Sequence, residues 1–181
     1  MPDGWENYYL LIGSAAGALI GLMFVVVTLT AGRDRDQAER GKHLYTSPIV
    51  WHLAVVLILS GGAIAPTMNP RLFGAVGGGL ALLGIGMGIR NAVGIARVPF
   101  SGEENNAFDI LWYGVAPALV YAGLGVAAAM IFAGCNWGAS AMAAALMGLL
   151  LVSIHAEWDL VTFLAPMAPQ AGKSAADDAK P

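Results

Sequence analysis

The sequence predicts an all-α fold: a polytopic membrane protein built as a bundle of five transmembrane helices, with the N-terminus outside and the C-terminus in the cytoplasm. Three observations predict it. Of the 181 residues, 57% are hydrophobic and only 12% charged, about half the charged share of a soluble domain. Four runs, Asn7 to Gly32, Leu44 to Pro70, Leu72 to Ile89 and Ile110 to Ala156, carry no Lys, Arg, Asp or Glu, and about 20 apolar residues cross a bilayer. The basic residues segregate: Arg33, Arg35, Arg40, Lys42, Arg90, Arg97, Lys173 and Lys180 fall on one side of the expected spans and Arg71 alone on the other. The positive-inside rule turns that split into an orientation. A soluble globule is excluded, and no nucleic-acid signature accompanies the net charge of -3.

The first helix is expected at about residues 8–30. It is a retained span and not a signal peptide, because Met1 to Tyr9 has no Lys or Arg, carries Asp3 and Glu6, and precedes an apolar stretch longer than a signal core. The second, at about 48–65, starts at Thr46-Ser47-Pro48, where hydroxyl caps precede a proline whose missing N–H costs nothing in the first turn. The third is expected at about 72–95. The fourth and fifth, at about 110–132 and 137–163, share one apolar run of roughly twice the bilayer thickness, which Ala133-Gly134-Cys135-Asn136-Trp137-Gly138 divides with turn residues. Pro117 inside the fourth helix frees the carbonyl of Tyr113 and predicts a kink.

Residues 1–165 thus form one transmembrane domain, and residues 166–181, rich in Ala, Pro, Asp and Lys, form a disordered cytoplasmic tail that buries too little apolar surface to offset ordering. Trp5, Tyr8, Tyr9 and Trp137 fall at the outer boundary and Trp51, Trp112, Tyr113 and Trp158 at the inner one, as two interfacial aromatic belts. The single Cys135 forms no disulfide within the chain.

Small residues line faces of three helices. Gly74, Gly77, Ala81, Gly84 and Gly88 share one side of the third helix, Gly13, Gly17 and Gly21 one side of the first, and Ser140, Ala144 and Gly148 one side of the fifth. Such faces let membrane helices approach closely; the sharper alternative is a subunit interface or a pore lining. Met23, Met87, Met130, Met142 and Met147 read as gap-filling side chains.

The chemistry-bearing residues fall at the expected cytoplasmic end. His52, Arg90, Asn91, Asp109, His155, Glu157 and Asp159 are predicted to share one depth there. His155 and Asp159, four apart, neighbour each other on one helical face, while Glu157 is expected to point the other way, to headgroups or water. Interfacial anchoring accounts for these residues if they point to headgroups. If they face the bundle interior, they make an ion or proton site with Arg90 as a counter-charge. His52 and His155 are also the alternative axial ligands of one haem b, although no cofactor is otherwise expected. No metal site is predicted, since Cys135 lies at the opposite end and no tight ligand spacing occurs. Nor does any Ser-His-Asp, Cys-His or paired-carboxylate spacing point to an enzyme.

The stretch Ile154-His155-Ala156-Glu157-Trp158-Asp159-Leu160-Val161-Thr162 resembles the last helix of small bacterial inner-membrane proteins that end in His-x-x-Trp-Asp-x-Val-Thr. The first helix, with Gly13, Gly17, Ile20-Gly21-Leu22 and Phe24-Val25-Val26, is similar to theirs as well. The resemblance implies a bacterial inner-membrane setting, implies no activity, and singles out His155, Trp158 and Asp159. The expected function is a homo-oligomeric channel or proton-linked permeation protein for a small ion or solute. The alternative is a membrane anchor or accessory subunit of a larger complex. The expected partners are lipid and either further copies or a membrane-complex subunit.

Overall fold

A computed structural model describes residues 4–30, 47–66, 68–96 and 110–164. Asp109, both loops on the expected cytoplasmic side and the tail from residue 165 lie outside the described residues. Within them the chain is helical: α1 (Glu6–Thr30), α2 (Ser47–Ile64), α3 (Pro70–Ala96), α4 (Ala116–Phe132) and α5 (Gly138–Leu164), with a π-helical turn at Leu111–Val115 leading into α4. No strand occurs among the described residues.

Four helical segments, Glu6–Val26, Pro70–Gly94, Leu111–Phe132 and Gly138–Thr162, are long and apolar enough to cross a membrane. The apolar part of α2, Pro48–Ile64, falls short of them. At 1.5 Å per residue its 18 residues rise about 27 Å, a little under the hydrocarbon thickness of about 30 Å. The expectation of five equivalent spans is therefore replaced by four long helices and one shorter one. Proline sets the limit at both ends, since Pro48 opens the helix and Pro66 follows a turn in which the Ala65 N–H bonds the Gly62 carbonyl at 3.3 Å.

Local chemistry explains the boundaries. The Asn69 side-chain oxygen accepts the Arg71 backbone N–H at 2.9 Å, so Asn69 caps α3 and Pro70 occupies its first position, two residues ahead of the predicted start. Between α4 and α5, Gly134 adopts φ +76°. Its N–H reaches the Ile131 carbonyl at 3.0 Å, and the Cys135 N–H reaches the Met130 carbonyl at 2.9 Å. That pair of bonds is the Schellman termination, which favours glycine because the left-handed backbone has no room for a Cβ.

Consecutive helices pack side by side, α1 closes the ring against α5, and α2 reaches across to α5. Helices consecutive in the chain run antiparallel, as the glycine contacts require: Gly13 faces Ser60, Gly62 faces Phe73, Gly74 faces Ala128 and Phe132, and Gly88 faces Gly114 and Ala118. The core lies where α2, α4 and α5 meet, at Leu53, Val56, Leu59, Tyr121, Leu124, Met142, Leu146 and Leu149. α5 is the central element: 56% of its span is buried, against about a third of each other long span. The exterior is apolar in turn, with Phe24 70%, Leu82 73% and Leu119 67% exposed, a surface that a water-soluble monomer does not carry.

Candidate functional site

Among the described residues, three of the predicted polar side chains, His52, His155 and Asp159, make defined contacts. They form two groups held by different parts of the fourth helix. The first is internal: His52 on α2 is buried, and its Nδ1 lies 2.9 Å from the hydroxyl of Tyr121, itself fully buried on α4. The two rings stand 5.4 Å apart. The indole N–H of the adjacent Trp51 is buried and has no hydrogen-bond partner. Small residues prepare this position, because a Cβ on Gly84 of α3 would overlap the Tyr121 ring.

The second group sits at the end of the bundle. The hydroxyl of Tyr113 donates to Asp159 Oδ2 at 2.7 Å, the short range typical of a hydroxyl on a carboxylate. His155 Nε2 lies 3.4 Å from the same oxygen, and the imidazole is covered by the Trp112 ring at 4.1 Å between centroids. The side chains of His155 and Asp159 are 33% and 37% exposed, so the group opens toward the bundle end. An imidazole, a carboxylate and a phenol in sequence can pass a proton between water and a covered position.

The π-helical turn makes this second group. Trp112 and Tyr113 are adjacent, and both meet α5. The turn closes with the Ala116 N–H on the Leu111 carbonyl, an i to i−5 bond that widens the helix where Pro117 has no N–H to offer Tyr113. The predicted kink is thus a π turn. Gly114 within it is buried against Ala92 of α3, which fixes the turn from its other side.

Arg90 is exposed and Asn91 half-buried near the end of α3; Asp109 lies outside the described residues. His52 and His155, the alternative haem ligands, are held by Tyr121 and Trp112, nine positions apart along the fourth helix, which is about 13 Å of helical rise. Glu157 corrects an expectation: it is only 9% exposed, and its Oε1 has no hydrogen-bond partner. It is therefore mostly covered, because α5 is central and the face carrying Ser153, Glu157 and Leu160 turns inward.

Among the small residues, Gly74, Gly77, Gly84 and Gly88 meet α4 side chains or backbone, Gly13 meets Ser60 and Gly148 meets Val120. Gly17 and Gly21 have nothing within 4 Å, Ser140 is half-buried and Ala144 exposed. A cavity of about 310 Å³ lies at the opposite end of the bundle, between Met68, Phe73, Ile131 and Cys135, and none of the predicted polar site residues lines it. Among the described residues no three His, Cys, Asp or Glu side chains converge as metal ligands do.

Tyr113, Trp112, Tyr121 and Glu157 belong with the site residues, and sequence reasoning missed them in that role. Trp112 and Tyr113 read as belt aromatics, and the only signal for them was Pro117 four residues beyond Tyr113. No family model matches the chain, and neither a curated protein nor a solved structure matches it.

Proposed function

We propose that the chain is a multi-pass bacterial inner-membrane protein, N-terminus outside and C-terminus in the cytoplasm, that works as a homo-oligomeric, proton-linked permeation protein or channel for a small ion or solute. The observation that carries the reading is the Tyr113, Asp159 and His155 group, in which one carboxylate oxygen is 2.7 Å from a hydroxyl and 3.4 Å from an imidazole nitrogen. Ionisable groups in an apolar bundle are costly and mark proton or ion paths. Two further features support it. The apolar exterior suits lipid, and the centre is filled by Leu53, Leu59, Leu124 and Leu146, so a route for the permeant runs between copies.

The test is flux in proteoliposomes carrying an internal pH-sensitive dye. Asp159→Asn and Tyr113→Phe are expected to slow proton-linked flux by about a hundredfold, the lower end of what a positioned acid or base contributes, with elution volume unchanged. Wild-type flux in both variants overturns the reading. The second reading, a membrane anchor or accessory subunit, is favoured by the open face of α1 at Gly17 and Gly21, a surface on which a foreign helix can pack. Native mass spectrometry after gentle extraction separates the two. A symmetric colourless oligomer supports permeation, whereas a stoichiometric foreign chain, or a haem mass lost in His52→Ala, supports the subunit.

A further inference from the structure

Two carboxyl groups stand two residues apart on α5 in opposite surroundings. Asp159 is partly exposed and accepts the Tyr113 hydroxyl. Glu157 is 9% exposed, and its Oε1 is met by no donor. Its position within the last two turns of the Gly138–Thr162 span puts it at the same end of the bundle as the Asp159 group, on the other side of the helix.

The helices packed against α5 are α1, α2 and α4, and none of them carries a Lys or Arg; among the described residues Arg71 and Arg90 are the only ones, both on α3. The titratable groups on the packed helices are Glu6, Tyr8 and Tyr9 of α1, which lie at the far end, His52 of α2, and Tyr113 and Tyr121 of the fourth helix. His52 is turned to Tyr121, and Tyr113 to Asp159. His155 and Asp159, on α5 itself, face each other. An ionised Glu157 would therefore hold its covered Oε1 without a donor and with no Lys or Arg on those helices, a costly arrangement for a carboxylate. Pairs of acids placed in contrasting surroundings divide between them the holding and the passing of a proton.

We propose that the Glu157 carboxyl is a proton-binding site of the bundle, loaded from the end where Tyr113, Asp159 and His155 meet water. The inference rests on the proton-linked reading above and adds to it the group that carries the proton. It also explains why a glutamic acid occupies the inward face of the most buried helix.

The test is reaction with N,N′-dicyclohexylcarbodiimide, a membrane-soluble reagent, on the full chain in vesicles. A protonated carboxyl gives its proton to a carbodiimide nitrogen while its oxygen bonds the central carbon; the acyl group then shifts to nitrogen as a stable acylurea, with nothing lost. Peptide mapping is expected to find the adduct on Glu157, present in Asp159→Asn and absent in Glu157→Gln. Its rate is expected to fall about tenfold per pH unit on the alkaline side of the midpoint, as the protonated fraction does. Because mapping is done on the wild-type chain, the result stands even where Glu157→Gln folds poorly. An unmodified Glu157 overturns the proposal, as does a rate independent of pH. Protection that grows with sodium concentration at fixed pH also overturns it, since a metal cation then holds the carboxylate. Flux with no adduct sinks this proposal and leaves the permeation reading intact; a pH-dependent adduct without flux supports this proposal and sinks permeation.

Discussion

Tyr121 serves two neighbours at once, covering Gly84 with its ring and meeting His52 Nδ1 with its hydroxyl. Tyr121→Phe keeps the ring and leaves the imidazole nitrogen buried without a partner, a loss of about 1–3 kcal/mol. Equilibrium unfolding of the detergent-solubilised protein measures it. Tyr113→Phe is expected to cost less, about 0.5–1.5 kcal/mol, because Asp159 is partly exposed and water replaces the lost donor, so its effect is larger in flux than in stability. His155 and Asp159 were legible as a pair, since four residues is one helical turn. Glu157 was not: the choice between lipid, water and interior depends on how α5 is rotated, and that rotation is set by the helices around it. The expectation of headgroups or water for Glu157 came from its place on the face opposite His155 and Asp159, and α5 turns that face inward.

At the scale of the helix, the α3–α4 seam and the π turn carry the fold's least forgiving positions. A Cβ on Gly74 would stand 2.8 Å from the Ala128 carbonyl oxygen, a backbone atom with little freedom to move, while Gly17 has open space. Gly74→Ala is expected to destabilise by about 1–3 kcal/mol, as overpacking does, and Gly17→Ala to leave the monomer's unfolding unchanged. The same unfolding experiment compares them, and equal effects would contradict the seam. Pro117→Ala restores an N–H for the Tyr113 carbonyl, so the Leu111–Val115 turn can close as ordinary α-helix. Trp112 and Tyr113 then rotate relative to α5. Flux is expected to fall in a folded protein, with slower hydrogen exchange across the regularised turn. Helix number and order were legible because proline, glycine and the Asn69-Pro70 pair punctuate an otherwise uniform apolar chain. The π turn was not, since the same proline permits a simple kink, and only packing against Gly88, Ala92 and α5 selects between them.

Five helices among the described residues place the start of α1 and the end of α5 at opposite faces of the bundle, and the native Cys135 reports which face is which. It is exposed in the turn between α4 and α5, and the chain holds one cysteine. With the N-terminus outside, a membrane-impermeant maleimide is expected to label it in right-side-out vesicles. Labelling that needs permeabilised vesicles would reverse the orientation drawn from the basic residues. The ring closure has a consequence for how the chain is made. Tyr8 and Tyr9, in the first helix to leave the ribosome, bond the Ala143 and Ala139 carbonyls at 3.0 and 2.9 Å, across sequence separations of 135 and 130 residues. Their partners follow α2, α3 and α4 in the chain, so α1 packs on α2 before it can reach α5, and a chain stopped before residue 138 leaves both tyrosine hydroxyls without those partners.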